Sequence, residues 1–313
     1  MVDKVILVEP RSFCPGVQRI LGIIDLVAKR YPDRPKFLNH EAVHNKHVTD
    51  SLKNMGIGIE EDPEKLPSRA VYILSAHGSS QEFQRRARAR DVTVIDGACP
   101  LVAKVHMEAN RYADLGYTII YIGHKGHPEA EVAVGIRPEK TIFIHNVDDA
   151  KNLSVPSPGK LICLSQTTLS IDECKAITDA LKGRFPNIEF PPAGDICLAT
   201  TNRQAAVKKL AEQADIVFVV GSKNSSNSNR LAEAASKKGV AAYLIDDASE
   251  IMPEWLDGKN RIGITAGASA PEYLVQGVVQ FIKDGNGGKP LEVETLKVVE
   301  ENARFALPKE LSD

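Results

Sequence analysis

The chain has 313 residues, enough for two or three compact units with sizeable cores. Hydrophobic residues make up 43% and charged residues 26%, which is ordinary for a globular protein and excludes a disordered or fibrous chain. The net charge of −2 supplies no global basic field for nucleic acid or anionic lipid, and 5% aromatic content with a single Trp, Trp255, argues against base stacking.

The opening MVDKVILVEP carries an acidic residue and enters a strand-like run at Val5–Val8, so no signal peptide is expected. No later run approaches the roughly 18 apolar residues of a membrane span. Further short Val- and Ile-rich runs follow at Val71–Leu74, Val92–Ile95, Thr118–Ile122, Thr141–Ile144, Leu161–Leu164, Ile216–Val220, Ala241–Ile245 and Arg261–Ile264. Four or five residues of this kind suit buried parallel strands. Helical spacing separates them. After Cys14, apolar residues fall at Val17, Ile20, Leu21, Ile24, Val27 and Ala28. After Cys197, Thr200 or Thr201 is expected to cap a helix carrying Ala205, Ala206 and Leu210. Alternating strand and helix patterns predict α/β architecture with largely parallel sheets.

No repeat exists at the level of identity, but one exists in plan. Each third of the chain has a cysteine at a strand-to-helix turn and then two polar turns at strand ends: NHEAVHN and SAHGSS, GHKGHPE and SQTTLS, GSKNSSNSN and TAGASAP. The expected units are 15–98, 99–196 and 197–284, with the N-terminal strand of 1–14 joining the last. Residues 285–313 are expected to be a Gly-rich linker and a charged tail, anchored by Phe305, Leu307 and Leu311.

Three of the five cysteines, Cys14, Cys99 and Cys197, stand just before helix-like runs. Turns of this kind lie outside the carboxyl ends of α/β strands, where such folds place their chemistry. A thiolate suits soft metals and iron–sulfur clusters, and a helix N-terminus favours the thiolate. The spacing alone leaves two readings open, a shared metal centre and simple buried thiols. Cys163, inside LICLS, reads as core, and Cys174 has no evident role. The absence of short paired spacings points away from a disulfide framework and toward a reduced, cytoplasmic protein.

His44, His77, His124 and His127 lie at strand ends, where imidazole can donate to phosphate oxygens. His40, His47, His106 and His145 read as ordinary surface or core residues. The segment GSKNSSNSN, 221–229, and TAGASAP, 265–271, offer Ser and Asn donors together with the backbone of a helix start, a plausible oxyanion cradle. Neither is a Walker A loop nor a GxGxxG fingerprint. Glu129, after His127-Pro128, and Gln166-Thr167-Thr168 supply a carboxyl and a hydroxyl, the elements of a proton relay.

Taken together, PRSFCPGV, EAVHN, SAHG, ACPLVAKVHMEA, IGHKGHPE, SQTTLS, DICLATTNRQ, VVGSKNSSNSNRL, TAGASAP and LPKEL resemble the family of 4-hydroxy-3-methylbut-2-enyl diphosphate reductases, the last enzymes of the non-mevalonate isoprenoid pathway. The resemblance runs from the first strand to about Leu311. It implies a trefoil of three related α/β units around a central cluster and substrate cavity. It implies a [4Fe–4S] cluster held by Cys14, Cys99 and Cys197 with one iron open. It gives His44, His77, His127, Ser225, Ser226, Asn227 and Ser269 to the substrate diphosphate, and makes Glu129 the acid and Thr167 its hydroxyl partner. His124 matches no family ligand. The implied products are isopentenyl and dimethylallyl diphosphate, and the implied electron donor is a ferredoxin or flavodoxin. The chain departs from the usual family pattern at Ser12 and Pro15 (PRGFCAGV is usual) and at Gly97 and Ala98 (DATCP is usual), beside two expected cluster ligands. Two other classes use the same residues: a zinc hydrolase on the three thiolates, and an iron–sulfur electron carrier that would have no need of phosphate loops.

Overall fold

The structure, a computed structural model, describes residues 1–155 and 159–311. Residues 156–158 of the expected middle unit and the last two residues of the expected tail lie outside the described residues. By compactness the chain divides into two units. The first comprises Met1–Gln18, Val43–Asn54 and Leu198–Arg304, and the second Arg19–Ala42, Met55–Cys197 and Phe305–Asp313. The architecture is α/β with three parallel sheets.

The first unit holds a five-stranded sheet built from β1 (Lys4–Glu9), β9 (Ile216–Val220), β10 (Ala241–Ile245), β11 (Arg261–Ala266) and β12 (Glu292–Lys297), in the order β10-β9-β11-β1-β12. β1 pairs with β11 in the register Lys4↔Arg261 to Leu7↔Ile264. Every residue of β9 is buried, as expected for a strand covered on both faces. Val217 and Val219 face one cluster with Ile6, Val8, Val207 and Leu231, while Phe218 and Val220 face another with Val5, Leu7, Ile264 and Val278. Full burial of each such side chain contributes about 1.5–3 kcal/mol.

β12 lies where the sequence suggests only a charged tail. Its EVETLK is mostly exposed and occupies a sheet edge, where charged residues discourage further strand addition. Lys4 of β1 pairs with Glu292 at 2.9 Å and Glu294 at 3.1 Å. The second unit holds two sheets. One has the order β3-β2-β4-β5, from β2 (Lys36–Leu38), β3 (Ile57–Ile59), β4 (Val71–Leu74) and β5 (Thr93–Asp96). The other has the order β7-β6-β8, from β6 (Thr118–Ile122), β7 (Thr141–Ile144) and β8 (Leu161–Ser165).

The helices that follow the three cysteines are α1 (Pro15–Arg30), α4 (Pro100–Asp114) and α8 (Leu198–Ala211). Pro15 and Pro100 occupy first helical positions, where proline loses no hydrogen bond. α1 carries Lys29 and Arg30 against its negative C-terminal end and stops before Pro32. α8 begins at Leu198, so Thr200 and Thr201 lie in its first turn and do not cap it. The remaining helices are α2 (Lys46–Asn54), α3 (Gln81–Arg88), α5 (Pro128–Ile136), α6 (Val147–Asn152), α7 (Ile171–Arg184), α9 (Ser226–Ser236) and α10 (Glu272–Gly285). Among the described residues no helix is long and apolar enough to cross a membrane. Of the expected tail anchors, Leu311 is buried, whereas Leu307 is exposed.

Candidate active site

The three cysteines share one local design. The backbone N–H of Cys14 donates to the Ala268 carbonyl, that of Cys99 to Ala76 and that of Cys197 to Thr167, each at 3.0 Å. The acceptors sit in the turns after β11, β4 and β8, the TAGAS, SAHGS and SQTTL segments. Each thiol therefore stands where a parallel strand ends and a helix begins. All three are partly exposed, and no disulfide joins the cysteines. Cys163 is 3% exposed within β8 and is core. Burial raises Cys174 to about 11, which makes it an inert thiol.

In the second unit the predicted residues form a connected string. Cys99 is bonded to the turn that carries His77, whose ring stands edge-on to His127 with centroids 6.0 Å apart. His127 caps α5 through Nδ1, which accepts the Glu129 N–H at 3.2 Å. Glu129 is 2% exposed and is gripped by Thr167, whose N–H donates to Oε1 at 2.7 Å and whose hydroxyl donates to Oε2 at 3.0 Å. The Thr167 carbonyl in turn receives the N–H of Cys197. Burial raises Glu129 to about 7; the two Thr167 bonds pull it down and the Asp195 charge pushes it up. His124 lies outside this string: its N–H donates to Gln166 Oε1 at 3.0 Å.

A second string runs through the first unit. The Ala268 carbonyl holds Cys14, and the Ala268 N–H donates to Asn227 Oδ1 at 2.8 Å. Ser269 Oγ donates to the His44 carbonyl at 3.0 Å. Ser225 caps α9, its Oγ accepting the Ser228 N–H at 3.3 Å, which places Ser226 and Asn227 in the first turn with their N–H groups at the positive end of the helix. Close approach of two turns to Ser228 requires both glycines. A Cβ on Gly221 would lie 2.2 Å from Ser228 Oγ, and one on Gly267 only 2.0 Å. Ser228 has no special place in the sequence reading; its mid-segment position gives no hint that two glycines close on it.

The residues present fit both expected ligands. A cluster needs thiol ligands, and the three thiols stand partly exposed directly before α1, α4 and α8. Among the described residues no three His, Cys, Asp or Glu side chains are grouped to hold a single metal ion. A cluster that takes one thiolate per iron does not need such a group. For an anionic ligand, Asn45 Nδ2 beside His44, and Ser75 and Ser79 Oγ flanking the His77 turn, are buried with no hydrogen-bond partner among the described residues. Each can donate to a bound oxyanion.

The comparisons with known proteins agree over nearly the full chain. The LytB protein family matches residues 5–283. The chain belongs to the LytB family. A Salmonella paratyphi A relative, named 4-hydroxy-3-methylbut-2-enyl diphosphate reductase, is 48% identical over 98% of this chain and 97% of its own length. One of the same name from Azoarcus sp. (strain BH72) is 47% identical over 99% and 98%. A solved structure of E-1-hydroxy-2-methyl-but-2-enyl-4-diphosphate reductase from Plasmodium falciparum superposes with a TM-score of 0.95 at 35% identity, covering 99% of this chain and 97% of that one. This LytB chain is thus an oxidoreductase by family.

Missing from the sequence reading are four charged side chains beside the cysteine loops: Arg19, Lys104, Asp195 and Arg203. Asp195 is buried, and its Oδ2 accepts the Ser165 N–H at 2.8 Å. Burial holds it above the usual carboxylate range, against the pull of that N–H and of Lys104. The available signal was positional: Asp195 lies two residues before Cys197.

Proposed function

We propose that this chain reductively removes the C4 hydroxyl of 4-hydroxy-3-methylbut-2-enyl diphosphate, yielding isopentenyl diphosphate and dimethylallyl diphosphate. The observation that carries the reading is Glu129, a buried carboxyl raised to about 7 and tied through Thr167 to the turn that holds Cys197. A general acid works best with a pKa near the working pH. Here burial supplies that value while Thr167 fixes the direction of both oxygens.

The reaction breaks the C4–O bond and takes up two electrons and two protons. One proton leaves with the oxygen as water. The other forms the new C–H bond, at one end of the allylic fragment for each product. When bound by Cys14, Cys99 and Cys197, a [4Fe–4S] cluster would supply the electrons singly and a Lewis-acidic iron. Glu129 holds the proton for the departing oxygen, and Thr167 orients it. His44, His77, His127, Ser225, Ser226, Asn227 and Ser269 bind the diphosphate. The first turn of α9 adds backbone N–H groups and a favourable dipole for that charge. The two electrons come from a ferredoxin or flavodoxin in the cytoplasm.

The test is an anaerobic assay of the reconstituted protein with a reduced viologen and the hydroxylated allylic diphosphate. Viologen oxidation with both isoprenoid diphosphates formed supports the reading. No turnover, with iron and sulfide confirmed on the protein, overturns it.

A further inference from the structure

The carbonyls just before the three cysteines each receive a hydrogen bond from a cation. Arg19 Nη1 donates to the Ala98 carbonyl, one residue before Cys99, at 2.9 Å. Lys104 Nζ donates to the Gly194 carbonyl, three residues before Cys197, at 2.7 Å. Arg203 Nη2 donates to the Ser12 carbonyl, two residues before Cys14, at 2.8 Å. The donors also follow a rule. Arg19 stands five residues after Cys14 on α1, Lys104 five after Cys99 on α4, and Arg203 six after Cys197 on α8. The helix that begins at one cysteine thus carries the cation that fixes the loop of the next, in the cyclic order Cys14, Cys99, Cys197, Cys14.

Each cation is itself held. Arg203 is 1% exposed and makes 2.8 Å bonds from Nη1 to both oxygens of Glu301. Lys104 also pairs with Asp195 at 3.1 Å and Glu108 at 3.3 Å. Arg19 Nε donates to the Ala306 carbonyl at 2.7 Å. A fixed charged donor on a loop carbonyl makes a stronger hydrogen bond than a neutral one, and it sets the direction in which the following residue leaves the loop.

We infer that Arg19, Lys104 and Arg203 are positioning residues, each fixing the direction of the cysteine after its own in the cycle. The inference rests on the proposed cluster role of the cysteines, but the placement of the loops can be read without a cluster.

The test uses the full-length chain reconstituted anaerobically, with Arg19→Gln, Lys104→Gln and Arg203→Lys compared with the parent. Cluster loss to a chelator is followed by visible absorbance. Alkylation of each cysteine is then resolved by mass spectrometry in the chelator-treated chain. The expected result is a crossed pattern: Arg19→Gln changes Cys99, Lys104→Gln changes Cys197 and Arg203→Lys changes Cys14. Each change is about tenfold in rate, the factor for losing one charge-assisted hydrogen bond from a loop-opening equilibrium. Chelation is expected to be faster in all three, and Lys104→Arg to restore the parent pattern. A change confined to the cysteine on the substituted residue's own helix, a uniform change at all three, or none would overturn the inference. A chain that takes up no cluster yet gives the crossed pattern would sink the proposed function and leave the positioning role standing.

Discussion

Thr167 offers both its N–H and its hydroxyl to the two oxygens of Glu129, at 2.7 and 3.0 Å. Both bonds favour the carboxylate, yet the group is raised to about 7 because burial outweighs them. The pair is therefore poised: near neutral pH the acid form and its conjugate base coexist, and the hydroxyl can follow the proton.

Glu129→Gln keeps the shape and removes the acid. Turnover with reduced viologen is expected to fall by about 10²–10⁴, the usual contribution of a general acid, with diphosphate binding retained. The parent rate is expected to decline as pH rises through about 7, where Glu129 loses its proton. Thr167→Val keeps the N–H bond and removes the hydroxyl bond, which lowers the pKa, so that decline moves to higher pH. Steady-state rates across pH for the three proteins check this, and a Glu129→Gln enzyme near parent turnover would remove the relay.

The same carboxyl sets a slope in stability. Its folded pKa, about 7, lies above its unfolded value of 4.5, so the folded state binds the extra proton between those limits. Stability is then highest below about 4.5 for this group and falls as pH rises through 7. The loss amounts to at most about 3 kcal/mol. Glu129→Gln is expected to flatten the slope of unfolding free energy between pH 5 and 7.5, measured by urea titration. Asp195, also raised by burial, contributes a slope of the same sign that remains in the variant.

The strands of the three sheets that are buried on both faces were legible, because runs such as Ile216–Val220 carry their burial in their composition. β2, β3 and β12 were not. The first two are three-residue strands, too short to show a period, and β12 is a mostly exposed edge strand with charged residues on both faces, which leaves no clean alternation. Cys14, Cys99 and Cys197 were legible as strand-to-helix turns from local sequence, since each lies between an apolar run and a helical one. Arg19, Lys104 and Arg203 were not, because their partners are backbone carbonyls tens of residues or more away, and a carbonyl leaves no mark in a sequence. Thr200 shows the limit of local capping rules, because α8 starts earlier, directly after Cys197.

Gly267 is the residue of the TAGAS turn that abuts Ser228. Gly267→Ala would put its Cβ 2.0 Å from Ser228 Oγ and 3.1 Å from its Cβ, in a place where Ser228 is fully buried and cannot swing away. The substitution is expected to cost about 1–3 kcal/mol as overpacking and to weaken binding of inorganic pyrophosphate. Adding Ser228→Ala removes the 2.0 Å clash and leaves the 3.1 Å contact, so partial recovery follows. Calorimetric binding and thermal unfolding of the single and double variants check both effects. Recovery of neither would place the damage elsewhere than at Ser228.

Ser12 occupies the left-handed region, with φ of 59°, two residues before Cys14. A side chain there costs about 1–2 kcal/mol relative to glycine. Its hydroxyl offsets that cost by donating to Glu272 Oε2 at 2.7 Å, and Glu272 is fixed in turn by two bonds from Arg11, at 2.8 and 3.1 Å. The two terms separate by substitution. Ser12→Ala keeps the backbone cost and loses the bond, and is expected to destabilise the chain by about 2 kcal/mol. Ser12→Gly loses both terms and is expected to lie near the parent. Urea unfolding of the cluster-free full-length chain gives the order parent, Gly, Ala. An alanine variant as stable as the glycine one would mean that the left-handed backbone carries no cost here and that the Glu272 bond alone decides how this loop is held.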